Sequence, residues 1–239
     1  MNTSRFFKSI TTLLLFLISF QISAAQTRRF SSRSAIVVDE RLAVLRSAPQ
    51  VSAPLLKRLS RGRIVSVIES KRSREGFVFF RVAVTRRTRG WIQHEALISP
   101  HRKGDDARLL RLINASHDFD RIARARIFLD AFPHSALRPH VLLIFADEAE
   151  KAAEKISREA GRRLHAAELG ATGAPIASYF LNYTGLDRYR RQGIVFTFDE
   201  ASRQCHYEGA AWREILRRYP ATREAMAVRQ RLSSQSSAN

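Results

Sequence analysis

The sequence predicts an α+β protein in which a small unit of antiparallel strands precedes a mainly helical region. Between Val44 and Ile98, apolar and basic residues alternate in three short runs separated by turn residues, a pattern typical of antiparallel strands. From Asp105 onward, apolar residues instead recur at the spacing of one helix face. The chain has 239 residues, of which 45% are hydrophobic, so it is long enough for one large or two small domains.

The first 25 residues have the organisation of a secretory signal peptide. Arg5 and Lys8 provide a positive start, an apolar run covers 13–20, and small residues occupy 23–25. This run is about half the length that a membrane-spanning helix needs, and no cysteine follows it that could carry a lipid anchor. We therefore expect an exported, envelope-associated protein, periplasmic or extracellular, with residues 26–34 as a flexible basic leader.

Residues 35–98 are expected to form the β-rich domain. The alternation at 64–68 and at 77–84 predicts strands with at least one buried face. A charged hairpin loop is predicted at 71–76 and a second turn at 85–90. In that second turn, Gly90 would adopt a backbone conformation that residues with a side chain resist.

The order of these pieces resembles the bacterial SH3-like (SH3b-type) domain. The matching segments are Arg46-Ser47-Ala48-Pro49, Gly62 before Ile64-Val65-Ser66-Val67, Phe79-Phe80-Arg81-Val82 and Gly90-Trp91-Ile92. Ala48 departs from the glycine that the family has in its first turn. The resemblance implies a small β-barrel with a binding groove among its surface loops. The ligand-binding residues that it implies are Arg46, Phe79, Arg81, Arg89 and Trp91, of which Phe79 and Trp91 are equally suited to the core.

The positive charge of the chain indicates which kinds of partner it could bind. The formal net charge is +19, and residues 35–98 alone contain thirteen Lys and Arg against five Asp and Glu. One interpretation is a solvated basic surface; the other is attraction to an anionic polymer, or to an anionic membrane surface, outside the cytoplasm. Because the protein is expected to be exported, nucleic acid is not an expected physiological partner.

A polar linker at 99–104 is the predicted boundary to a helical domain at 105–232, followed by a disordered tail at 233–239. Phe132-Pro133 is predicted to end one helix, because a residue before proline avoids the helical region. Ser135 is the predicted N-cap of the next helix.

A weak internal echo links the two ends of this region. Residues 128–133 match 215–220 at the apolar positions and at the proline. A helix that ends in an aromatic residue and proline, followed by a second helix, resembles the tetratricopeptide-like helical pairs of bacterial envelope proteins. The resemblance implies a surface that docks a protein partner. The two units lie too far apart to form a regular array, whose period would be about 34 residues.

The sequence contains no convincing catalytic motif, and neither a cofactor nor a metal is expected. Cys205 is the single cysteine, and the only histidine after it is the adjacent His206. Adjacent strand residues point to opposite faces, so a buried thiol is favoured over an activated nucleophile. The carboxylates at 147–154 alternate with Lys and Arg at helical spacing, which predicts a solvated helix face.

Two functions follow from these patterns. The first is a non-enzymatic envelope scaffold, whose barrel binds a cell-wall component or an extended peptide and whose helical domain binds a protein partner. The alternative is a divergent cell-wall hydrolase with its site in residues 173–207, a segment that also contains a predicted short β-hairpin at 194–207. The candidate residues of the alternative are Asp187, Asp199, Glu200 and His206.

Overall fold

The computed structural model describes residues 30–163, 171 and 173–236. The expected signal peptide at 1–25 and residues 26–29 of the expected leader lie outside the described residues. Within them, an antiparallel sheet of seven strands is followed by a helical region with seven α-helices, so the predicted α+β class is confirmed.

The strands of the sheet are all antiparallel to their neighbours. They are β1 (Ser34–Val37), β2 (Val44–Arg46), β3 (Leu55–Arg58), β4 (Ile64–Arg72), β5 (Val78–Ala83), β6 (Arg89–Gln93) and β7 (Leu97–Ile98). Their order across the sheet is β3-β2-β6-β5-β4-β1-β7. The two edge strands, β3 and β7, do not pair with each other, so the described strands form an open sheet and no closed barrel.

Strand β1 lies between two hydrophobic cores and is buried on both faces. Ala35 and Val37 face the core of the sheet, together with residues such as Leu45 and Ile92. Ile36 instead joins the core of the helical region, because alternate side chains of a strand point to opposite faces. The sheet therefore has a core of its own and also packs against the helices.

Hydrogen bonds and ion pairs fix the segment that joins sheet and helices, at residues 99–104. Ser99 Oγ donates to the Ser34 carbonyl (2.9 Å), and the Ser99 amide donates to Asp105 Oδ2 (2.6 Å). Arg102 pairs with the same carboxylate (2.9 Å), and its guanidinium lies 5.4 Å from the centre of the Phe80 ring. The predicted polar linker is therefore an ordered connection.

The helical region is organised around one long helix, α3. The helices are α1 (Asp105–Asn114), α2 (Asp118–Ala131), α3 (Arg138–Arg163), α4 (Ile176–Leu181), α5 (Asp187–Arg190), α6 (Ala210–Arg218) and α7 (Arg223–Ser236). The predicted hairpin is confirmed as β8 (Phe196–Asp199) and β9 (Gln204–Tyr207). Helices α2 and α6 and strand β9 all pack against α3. None of the described helices combines the length and the apolar character that crossing a bilayer requires.

The internal echo corresponds to two similar helix ends. Helix α2 stops at Phe132 (φ −124°, ψ 62°) and α6 stops at Tyr219 (φ −134°, ψ 45°), each directly before proline. After the first, the amide of Leu137 donates to Ser135 Oγ (3.2 Å), but α3 begins only at Arg138, so Ser135 stabilises the turn before the helix and is not the N-cap that the sequence predicted. After the second, the amide of Ala225 donates to Thr222 Oγ1 (3.3 Å).

The prediction of a disordered tail at 233–239 is wrong for residues 233–236, because α7 continues to Ser236, and residues 237–239 lie outside the described residues. Polar composition suggested fraying at this point. The hydroxyls of Ser233 and Ser234 instead donate to the carbonyls of Gln230 and Arg231 within the helix.

Candidate functional site

A row of five side chains crosses one face of the sheet. The strand registers place Leu55 opposite Arg46, Arg46 opposite Trp91, Trp91 opposite Arg81 and Arg81 opposite Glu69. Directly opposed residues on antiparallel strands point to the same face and lie in contact distance. We call this set the cross-strand row; it spans β3, β2, β6, β5 and β4.

Local contacts position the members of the row. Arg46 Nη1 donates to the Ala53 carbonyl (2.7 Å), which ties that guanidinium to the turn between β2 and β3, and Trp91 opposite it in the register is partly buried. Arg81 Nη1 pairs with Glu69 Oε1 at 3.0 Å, and about half of each side chain is exposed. The row therefore presents an aromatic ring between two arginines, the combination that holds a flat or anionic ligand.

The other two predicted binding residues lie on the same face, one row to either side. Arg89 is opposite Ala83 and is exposed, so it extends the cationic surface of the row. Phe79 is opposite Gln93, but its exposed fraction is 0%. A fully buried ring cannot touch a ligand, so Phe79 is excluded from the accessible surface, which the four others form.

Gly90, the neighbour of Trp91 on β6, matters to the row for a different reason from the one expected. Its backbone is not in the left-handed region. A Cβ atom there would lie 2.7 Å from Leu45 Cγ and 2.8 Å from the Arg46 carbonyl oxygen. The absence of a side chain at Gly90 therefore lets β2 approach β6 closely enough for Arg46 to pair with Trp91 in the register.

The face is cationic, and part of its charge is uncompensated. Arg89 and Lys71 are exposed and have no carboxylate partner among the residues that the structure describes. Glu69 is the acidic member of the row, and its carboxylate already forms a salt bridge with Arg81. Exposed, unpaired cations keep their long-range attraction for an anion, and salt weakens that attraction.

The residues of the hydrolase alternative do not converge on a cleft. Asp199 and Glu200 lie in the exposed turn of the β8–β9 hairpin, and the hydroxyl of Ser202 holds the pKa of Asp199 below its usual value. Asp187 is exposed and faces Arg190 at 3.7 Å. His206 Nδ1 lies 2.8 Å from Glu150 Oε1, which fastens the hairpin to α3.

The apolar face of the hairpin packs inward. Cys205 is fully buried, as predicted, and burial raises the pKa of its thiol. The Cys205 amide donates to Ser157 Oγ on α3 (2.7 Å), and Tyr207 is buried beside it on the same strand. The hairpin is therefore attached to α3 by hydrogen bonds and apolar packing. The candidate residues of the hydrolase alternative that the structure describes do not face one another as an acid and a base.

The prediction of a solvated acidic face on α3 holds for Glu154, which is exposed, but it is wrong for Glu148. Glu148 is 8% exposed and binds Arg121 (2.9 Å) and Lys151 (3.0 Å). Asp147 pairs with Arg231 of α7, and burial raises the pKa of its carboxyl group. Other elements cover α3 on several sides, so carboxylates at helical spacing connect neighbouring elements here, whereas the same pattern on a peripheral helix would face water.

Sequence reasoning also missed a group of charges between sheet and helices. Arg124 is 5% exposed; its Nε donates to the Val38 carbonyl (3.1 Å) and burial lowers its pKa. Arg61 reaches from the sheet to Asp120 of α2 (2.8 Å). The one signal in the sequence for this buried charge was the position of Arg124, two residues after Ile122 and among the apolar residues of an amphipathic helix. These residues join the two parts of the chain.

A pocket of about 590 Å³ lies at the same junction. Phe30, Pro100 and Phe132 contribute apolar lining. Several of its polar groups already have partners: His101 Nε2 bonds the Phe30 carbonyl (3.1 Å) and Asp106 accepts from Ser135. The pocket therefore offers volume without the convergent polar groups that orient a small ligand.

No group of three or more His, Cys, Asp and Glu within the described ranges has the arrangement that a metal ion needs. The cross-strand row is thus the best-formed candidate site, and its chemistry is recognition of anionic or flat groups. Comparison of the chain with protein families, with curated proteins and with solved structures found no match.

Proposed function

We propose that this protein is an exported, non-catalytic binding protein of the bacterial cell envelope, in which the sheet binds an anionic cell-wall polymer. The cross-strand row, together with Arg89, is the binding surface. The helical region serves as a scaffold that holds a protein partner beside the wall.

One observation above all supports the proposal. Four residues that the SH3-like resemblance implied as ligand contacts, Arg46, Arg81, Arg89 and Trp91, come from three separate strands and meet on one face. An aromatic ring flanked by guanidinium groups can stack on a sugar or peptide plane while the arginines bind carboxylate or phosphate groups. We interpret the sheet as an open variant of the SH3-like arrangement, and the absence of a side chain at Gly90, which lets β2 approach β6, is consistent with that interpretation.

The helical part of the proposal has separate support. Helices α2 and α6 both pack against α3 and end in similar aromatic-proline conformations, which supports the interpretation as a short repeat unit. Partly exposed apolar side chains on such units are common docking surfaces. Met226 on α7 is 61% exposed and is the most exposed of these side chains.

The test is co-sedimentation of the purified protein with peptidoglycan sacculi that carry anionic polymer. Trp91→Ala should reduce the bound fraction at least about fivefold, since it removes an aromatic contact of about 1 kcal/mol or more. Phe77→Ala is the matched control, because Phe77 is 43% exposed but lies outside the row. Circular dichroism verifies that both variants are folded.

A charge-matched pair separates specific binding from general attraction. Arg89→Gln and Arg74→Gln each remove one exposed cation that has no carboxylate partner among the described residues, but only Arg89 lies beside the row. Arg89→Gln should weaken binding more than Arg74→Gln, and salt should weaken binding of all variants. Equal losses in the two variants would show that net charge alone holds the protein to the wall and would refute the proposed site.

A further inference from the structure

The sheet has one covered edge and one bare edge. Strand β7 forms the covered edge: Leu97 and Ile98 are 0% and 1% exposed, and α1 packs against the strand. Strand β3 forms the opposite edge, pairs with β2 alone among the described strands, and has all four residues exposed. A bare edge carries unpaired backbone groups that can template another strand.

The direction of those backbone groups can be worked out from one hydrogen bond. The Leu59 amide donates inward to the Ala43 carbonyl at 2.9 Å. Backbone amides alternate in direction along a strand, so the amide and carbonyl of Arg58 point away from β2. Arg58 and Val44, which lie opposite each other in the register, are accordingly a pair that exchanges no backbone hydrogen bonds.

The side chains of this edge are apolar at one end and basic at the other. Leu55 and Leu56 are each 52% exposed, and Val51 in the preceding turn is 40% exposed. Lys57 and Arg58 follow directly, without carboxylate partners in the part of the chain that the structure describes. Charge on an edge strand is a common barrier to self-association.

The charges also select the kind of partner. Pairing of two β3 strands from two copies would gather Lys57 and Arg58 of both chains in one short seam, where like charges repel. A strand that carries carboxylates would be attracted to the same two residues. Its apolar residues would cover Leu55 and Leu56, which gain from leaving water.

We propose that the β3 edge binds an extended acidic segment of a protein partner, which adds to the sheet as an eighth strand. Main-chain hydrogen bonds supply the affinity and the Lys57–Arg58 pair supplies the preference for acidic side chains. This site goes beyond the wall-binding face proposed above: it takes a peptide backbone, and it can fail or succeed independently of polymer binding.

The probe is a fluorescent peptide of about ten residues, in which Val alternates with Asp, and the readout is its anisotropy with the full chain. It should bind, and a Val/Lys peptide of equal length should bind much more weakly. A Val/Asp peptide methylated on alternate backbone amides should lose at least about tenfold in affinity, because one hydrogen-bonding edge is blocked. This measurement needs no change in the protein.

The matched variants are Arg58→Pro and Arg58→Ala. Both remove the same charge, but only proline removes the outward amide, and proline is tolerated on an edge strand where its nitrogen faces solvent. Arg58→Pro should bind the Val/Asp peptide about fivefold more weakly than Arg58→Ala. Both variants should sediment equally with sacculi, which separates this site from the wall-binding face.

Three results would overturn the inference. The methylated peptide could bind as well as its parent, or the two variants of Arg58 could bind the peptide equally, and either would show attraction without strand addition. Sedimentation velocity could also reveal a dimer of the unmodified chain that Arg58→Pro dissociates and Arg58→Ala does not. The occupant of the edge would then be a second copy.

Discussion

The substitution Gly90→Ala gives the most direct test of how the cross-strand row is built. The added Cβ would lie 2.8 Å from the Arg46 carbonyl oxygen and 2.7 Å from Leu45 Cγ. A flexible side chain could move aside, but the carbonyl belongs to the backbone of β2. The strand must therefore shift away from β6, and the pairing of Arg46 with Trp91 in the register must loosen.

The expected cost follows from the kind of clash. Forcing an extra methyl into a packed site typically costs about 1–3 kcal/mol, and a backbone contact places this change toward the upper end. For a chain of this size, that cost corresponds to a fall in Tm of about 4–10 °C. Binding to sacculi should fall as well, because the shift moves Arg46 out of its place opposite Trp91 in the proposed binding surface.

Scanning calorimetry on three variants provides the assay and its internal controls. Gly161 on α3 has no atom within 4 Å of the position that an added Cβ would occupy and no left-handed backbone, so Gly161→Ala should raise stability by up to about 1 kcal/mol. Gly62 also has open space but has φ +77°, so Gly62→Ala should cost about 1 kcal/mol from the backbone alone. If the Gly90→Ala variant has the same Tm as the unmodified protein, the close approach of β2 and β6 is refuted.

Two further predictions concern groups that sequence reasoning misjudged. Arg124→Ala should lower the free energy of unfolding, measured by urea titration, by about 2 kcal/mol, because it leaves the Val38 carbonyl and Ser116 Oγ without their buried donor. The control is Arg126→Ala on the same helix. Its side chain is 40% exposed, so this variant should cost much less in the same titration. Asp147→Asn should raise Tm at neutral pH, because burial raises the pKa of the folded carboxyl and the ionised form opposes folding. That gain should vanish as pH falls below the ordinary value of 3.8, where both states are protonated; a gain that persists at low pH would contradict this origin.

The local sequence pattern was sufficient to predict an element where the residues that contact one another are also close in sequence. The β8–β9 hairpin was predictable, because alternating aromatic residues on either side of a polar turn suit one two-stranded unit. The ends of α2 and α6 were predictable from Phe132-Pro133 and Tyr219-Pro220, since proline restricts the residue before it. In these cases no distant contact was needed.

Contacts between distant segments explain what the sequence could not show. Alternation placed Phe79 and Trp91 on one face of the sheet, but it could not show that Phe79 is fully buried. In the same way, the spacing around Glu148 fits a solvated helix, and only the packing of Arg121 from α2 makes it an interior ion pair. The bare β3 edge depends on the order of strands, which is set by β1 pairing with β4 and β7.

The ordered connection between sheet and helices has a mechanical consequence. Ser99 and Arg102 fasten residues 99–104 at both ends, and Arg61 bridges to α2 at a second point. A wall polymer pulling on the sheet would therefore load the helices directly and would not first stretch a slack tether. Whatever the helices hold would stay at a set distance from the wall, so the molecule would act as a rigid spacer.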